Sequence, residues 1–189
     1  MIPKMMWHVV QFNDVLPTPW RNGGGKTRQL TAWPTPADWL WRASVADVEQ
    51  TGPFSDFAGV QRWFAVLKGD GVCLMIDGRT HVLGSSGQPL MFDGAAQTDC
   101  ELLGGATQDF NLMVKHGTTA RMQRIFGHLE AKISTPKTIA ACAHQYRATV
   151  QIGTELHGIL PQSFGWAHVQ AHVAVHVQSR DVLWMEIDA

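Results

Sequence analysis

The sequence predicts an all-β fold, a sandwich or barrel of short strands, and three observations predict it. Apolar residues recur with period two, and no window carries several turns of a clean 3.6-residue period. Gly and Pro, 18 and 9 in number, punctuate the apolar runs every few residues. Strand-like runs follow one another roughly 8–12 residues apart, the spacing of sandwiches and barrels rather than of alternating strands and helices.

Taken in order, Trp7–Phe12 is the first expected strand. Leu40–Val48 alternates: Trp41, Ala43 and Val45 share one face, and Arg42, Ser44 and Ala46 share the other. Gly52–Gly59 is rich in turn residues and holds Phe54 and Phe57. Val60–Leu67 then runs through Lys68-Gly69-Asp70-Gly71 and is expected to pair with Val72–Ile76 as a hairpin. Asp77-Gly78 is a two-residue turn into Arg79–Leu83. Further strands are expected at Leu90–Phe92, Asp99–Leu103, Asp109–Val114 and Gln145–Ile152. Gly127–Ala143 reads as a linker or an irregular crossing, and a last hairpin is expected from Ala167–Val177 and Val182–Ile187, turning at 178–181. The division that follows is a larger unit over residues 1–120 and a smaller one over 121–189.

Composition narrows the function classes. Fifteen Lys+Arg stand against sixteen Asp+Glu, a formal charge of −1, so no basic surface for nucleic acid is expected. No apolar run approaches the ~18 residues of a membrane helix. The N-terminus lacks a signal-peptide pattern, and the three widely spaced cysteines form no CxxC, so a cytoplasmic protein with reduced thiols is expected.

The stretch with most chemical content is Pro19-Trp20-Arg21-Asn22-Gly23-Gly24-Gly25-Lys26-Thr27-Arg28. Successive glycines can turn their N–H groups toward one point and form a nest for an anion. A phosphate-binding P-loop is excluded: the glycine it needs before Gly25-Lys26-Thr27 is replaced by Trp20, and Pro34 stops any useful helix. Histidines number nine, and His168, His172 and His176 step by four. On the strand their β-branched neighbours predict, four residues span ~13 Å, too far for one metal. No HExxH, HxH or GxSxG occurs. What remains is polar residues inside strands: Arg42 with Ser44, Arg62, and Asp109 with Asn111. Arginine suits bidentate capture of a carboxylate, and a few convergent polar groups mark a ligand pocket.

These residues resemble the HutD/Ves family. The resemblance is carried by Pro19–Thr27, Trp41-Arg42-Ala43-Ser44-Val45-Ala46, Gly52-Pro53-Phe54-Ser55-Asp56-Phe57, Gly69-Asp70-Gly71 and Asp109-Phe110-Asn111-Leu112-Met113. Phe57-Ala58-Gly59 stands where the family usually has Phe-Pro-Gly. The resemblance implies a two-part, cupin-like (bicupin) jelly-roll sandwich without the cupin metal histidines, and an association with histidine utilisation. It also implies a set of pocket residues: Trp20, Asn22, Gly23, Gly24, Arg42 and Ser44, with Ser55, Arg62, Asp109 and Asn111. No catalytic residue, metal or cofactor is expected.

The leading expectation is a metal-independent binder of a small carboxylic acid, such as N-formylglutamate or urocanate, that modulates the pathway. Arg42 or Arg62 pairs the carboxylate, the Gly23–Gly25 N–H groups help, and Trp20 covers an apolar part. The alternatives are an isomerase or hydrolase using Asp109 or Asp56 as base, and a protein-interaction module. No nucleic-acid or membrane partner is expected, and a homodimer is left open.

Overall fold

The structure, a computed structural model, describes residues 5–188. These form two compact units: one spans Val15 to Thr118, and the other joins the segment ending at Asp14 to the chain from Thr119 onward. The expected division at residue 120 therefore differs in one segment. Strand β1 (His8–Gln11) pairs antiparallel with residues 163–166, and so belongs with the C-terminal part of the chain. Phe12, expected in that strand, opens a short 3₁₀ turn.

The Val15–Thr118 unit is built from β2 (Thr18–Pro19), β3 (Gly25–Pro34), β4 (Trp39–Val48), β5 (Gly52–Pro53), β6 (Val60–Lys68), β7 (Val72–Ile76), β8 (Arg79–Leu83), β9 (Leu90–Asp93), β10 (Thr98–Leu102) and β11 (Thr107–Lys115). They make a six-stranded sheet, β2-β3-β4-β11-β6-β9, and a four-stranded sheet, β5-β10-β7-β8. Phe64, Val66, Leu74, Ile76, Phe92 and Cys100 form a common buried core in this unit. Burying each large side chain stabilises by about 1.5–3 kcal/mol.

One expected hairpin is absent. β6 pairs with β11 and β9, whereas β7 pairs with β8 and β10 in the other sheet. Between them Gly69 and Gly71 take φ of +103° and +112°, which lets the chain turn a corner instead of folding back on itself. The Asp77-Gly78 turn forms as expected, both residues having positive φ.

The other unit contains β1 with β12 (Thr119–Ile133), β13 (Lys137–Ala143), β14 (Ala148–Ile152), β15 (Glu155–Ile159), β16 (Ser163–Val169) and β17 (Val173–Asp188). Its sheet runs β1-β16-β13-β17-β14-β15, and β12 lies along β17. Two sequence expectations fail here. Gly127–Ala143 is no linker: β12 continues through it, with an irregularity between Ile125 and Gly127, and the buried alanines of β13 follow. Residues 178–181 are no turn either. The sixteen-residue β17 pairs β14 through Val175–Ser179 and β13 through Leu183–Ile187. At the switch the Ser179 hydroxyl donates to the Arg147 carbonyl at 3.0 Å and accepts the Asp181 N–H at 3.2 Å. Polar side chains there mark a bend within one strand. Ile139, Val150, Ile159, Val177 and Trp184 lie in this unit's core.

No helix among the described residues is long and apolar enough to cross a membrane.

Candidate functional site

The site lies in the Val15–Thr118 unit and is organised by pairing across β4, β11 and β6. Paired residues of antiparallel strands project to the same side, and alternate residues share a face. Three rows result: Arg42–Met113–Arg62, Ser44–Asn111–Phe64 and Ala46–Asp109–Val66. The first two rows and Ala46 line a cavity of about 580 Å³. The opposite face carries Trp41, Ala43, Val45, Phe110 and Leu112, all buried, which is why these strands read as nearly continuous apolar runs.

Arg62 is 5% exposed. Its Nη2 donates to Asn111 Oδ1 at 2.9 Å and its Nη1 to the Ser55 carbonyl at 3.5 Å. Its Nε is buried without a partner, and its guanidinium lies 5.1 to 5.6 Å from the rings of Phe54, Phe57 and Phe92. Burial, with the positive charge of Arg42 nearby, lowers its pKa to about 10. Arg42 donates from Nε and Nη2 to the Met113 sulfur at 3.3 and 3.0 Å and lies over Trp39 and Phe57. Burial lowers its pKa as well. A thioether is a weak acceptor, and neither arginine has a carboxylate within ion-pair distance among the described residues. Two cations thus face an aromatic cavity with no counter-charge.

Trp20 forms the wall at another side. Its Nε1 donates to Thr27 Oγ1 at 2.8 Å, which fixes the indole, and Phe54 meets it edge-on at 6.5 Å. The glycine triplet supports this wall rather than forming an anion nest. The Gly23 N–H donates to the Trp20 carbonyl at 3.1 Å, and the Gly24 N–H to Asn22 Oδ1 at 3.0 Å, so both donors are already used. A Cβ at Gly25 would collide with the Asp47 carbonyl and come within 3.2 Å of the Trp20 ring. Glycine is required there for close approach.

The structure places Trp20, Asn22, Arg42, Ser44, Ser55, Arg62 and Asn111 around the cavity. Gly24 lines only a smaller adjoining recess, and Gly23 lines neither. Asp109 is fully buried outside the lining: Thr107 Oγ1 donates to its Oδ2 at 2.8 Å, and its Oδ1 has no partner. Burial pushes this carboxyl up to about 7 against the Thr107 hydrogen bond, with Asp47 adding repulsion. Thr27, Phe54, Phe57 and Met113 also belong to the lining and were not singled out from sequence. Met113 alternates with Asp109 and Asn111, and that alternation was the available signal.

No cluster of His, Cys, Asp and Glu among the described residues could hold a metal ion. His168 lies on β16 beside Thr138, His172 occupies a turn at φ +65°, and His176 lies on β17. All three cysteines are free, and burial raises the Cys100 thiol to about 12.

Comparison with known proteins places this geometry in a family. A structure of HutD from Pseudomonas fluorescens SBW25, obtained in a formate condition, is similar with TM-score 0.81 and 31% identity, covering 96% of this chain and 98% of that one. A conserved protein of unknown function from Pseudomonas aeruginosa PAO1 is similar with TM-score 0.87 and 29% identity, covering 97% and 100%. An uncharacterized 21.2 kDa protein from the hutC 3' region of Pseudomonas putida is 40% identical over 139 residues, 67% of this chain and 69% of that protein. Oxalate decarboxylase of Bacillus subtilis, 9% identical with TM-score 0.63, shares the fold alone, which is a cupin-like β-sandwich. The family model HutD matches residues 13–187, so the chain belongs to the HutD family, which is linked to the histidine-utilisation locus.

Proposed function

We propose that the chain is a metal-independent binding protein for a small carboxylic acid of histidine utilisation, such as urocanate or N-formylglutamate, and that this binding modulates the pathway. One observation carries the reading: Arg42 and Arg62 face a cavity of about 580 Å³ with no carboxylate partner among the described residues. A buried cation without a counter-charge is costly, and a ligand carboxylate supplies the missing charge and accepts the guanidinium hydrogen bonds.

Arg42 is the better placed of the two to grip the anion. Its Nε and Nη2 form one side of the guanidinium, the edge that holds a carboxylate bidentately, and only the Met113 sulfur occupies it. Arg62 anchors the other side through Asn111. A catalytic reading lacks a base: among the described lining residues there is no Asp, Glu, His, Cys or Lys. Asp109 lies outside the lining and Asp56 does not contribute to it.

Thermal unfolding against urocanate, N-formylglutamate, glutamate, formate and divalent metals tests the proposal. An acid at 100 times its Kd adds about 2.7 kcal/mol of stability. A rise with at least one acid and none with metals is expected. A rise only with metal, or with none of the acids, contradicts it.

A further inference from the structure

The cavity is far larger than its charged end requires. A carboxylate group needs about the room of two waters, ~60 Å³, against the cavity's 580 Å³. Along β4 the level of Arg42 and the level of Ala46 are separated by four residues, ~13 Å of strand. Between them the wall carries Ser44, Asn111 and Phe64, and the lining also includes Trp20 and Phe54, which meet edge-to-face at 6.5 Å. Beyond this pair lies a recess of about 200 Å³, sharing Trp20, Asn22, Val48, Pro53 and Phe54 with the cavity and adding Gly24, Gln50 and Thr51.

No charged residue is among the described lining of the recess. Its hydrogen-bonding capacity is uncharged and available. Asn22 uses only Oδ1, toward the Gly24 N–H, and the Gln50 side chain makes no hydrogen bond among the described residues. Thr51 Oγ1 accepts the Leu102 N–H at 3.1 Å and keeps its own proton to donate. Arg21, the remaining cation of the cavity lining, is exposed and absent from the recess.

We propose that the ligand has two unlike heads: a carboxylate at Arg42 and Arg62 and, across an uncharged spacer, an uncharged hydrogen-bonding group seated in this recess against Asn22 and Gln50. The inference rests on the carboxylate-binding reading above and narrows it. Monocarboxylates with a polar neutral end, urocanate among the acids named above, are preferred to dicarboxylates such as N-formylglutamate, because a second anion here would be desolvated without a cation, while a plain alkyl end would leave the recess amides unpaired.

Titration calorimetry with hexanoate, adipamate (6-amino-6-oxohexanoate) and adipate tests this, since the three differ only in the far group. Adipamate is expected to bind roughly tenfold tighter than either of the others, the value of about one well-made hydrogen bond. Gln50→Leu keeps the bulk of an exposed side chain that makes no hydrogen bond, so folding is undisturbed. It should abolish the preference for adipamate, bringing the affinities of adipamate and hexanoate together. Tightest binding by adipate, equal binding of adipamate and hexanoate, or an adipamate preference surviving in Gln50→Leu would overturn the two-headed ligand. Failure of all three to bind the wild type would instead remove the carboxylate reading on which it stands.

Discussion

Arg42 and Arg62 lie over the same ring: their guanidinium carbons are 5.0 and 5.6 Å from the centre of Phe57, with Met113 between them in the sheet. The arrangement concentrates positive charge where the described lining residues place none of opposite sign. Aromatic faces soften that cost without removing it.

A trade between stability and binding follows. Arg62→Met keeps the apolar stem, removes a buried uncompensated charge, and is expected to raise unliganded stability by about 1–3 kcal/mol in urea unfolding. The same variant should weaken acid binding by roughly 2–5 kcal/mol, since the ligand loses a desolvated partner. A variant that binds normally would show that Arg62 serves the fold alone.

Asp109 gives a pH dependence with a definite sign. Its folded value of about 7 lies above the 3.8 ordinary for an aspartate. Between those values the folded state keeps a proton that the unfolded chain has released. The contribution is therefore full below about pH 4 and lost progressively as pH rises to about 7, a change of about 4 kcal/mol. Asp109→Asn does not titrate, so its stability relative to wild type should climb between about pH 4 and 7 and then level off. Urea midpoints measured across that range check this, and parallel curves for the two proteins would contradict it.

Gly25→Ala tests the role assigned to the glycine triplet. Its Cβ meets the Asp47 carbonyl, a backbone atom that cannot move without disturbing the β3–β4 ladder. The expected loss is about 1–3 kcal/mol, with a changed environment for the Trp20 indole visible in its NMR resonance. Gly23→Ala, in open space but at φ +73°, should cost about 1 kcal/mol through backbone strain and leave that resonance in place. Equal effects on Trp20 in both variants would argue against the assignment.

Much of this site was legible in the chain because alternation reports faces directly. Arg42 and Ser44 share a face in sequence and in the structure, and Asn111 stands opposite Ser44 through the register of β4 and β11. The register itself was not legible, since nothing local states which strand Met113 will oppose or that Phe57 will lie under two arginines. The glycine triplet misled for a physical reason. Glycines that admit a neighbouring side chain and glycines that expose N–H groups to an anion have the same letters, and only the partners at Asn22, Trp20 and Asp47 separate them. β6 and β7 look like a hairpin because strand–Gly–strand patterns do not encode whether the chain doubles back or changes sheets. β17 hid its continuity behind Gln178-Ser179-Arg180-Asp181, polar letters that belong to a bend in a strand passing between two sets of partners.

The central claim, that the paired arginines exist to receive a carboxylate, is tested most directly by titrating urocanate and N-formylglutamate into wild type and into the Arg42→Met/Arg62→Met double variant at neutral pH. Saturable binding of at least one acid by wild type, lost in a double variant that still unfolds cooperatively, is the predicted result. Binding of equal strength in both proteins would contradict the claim.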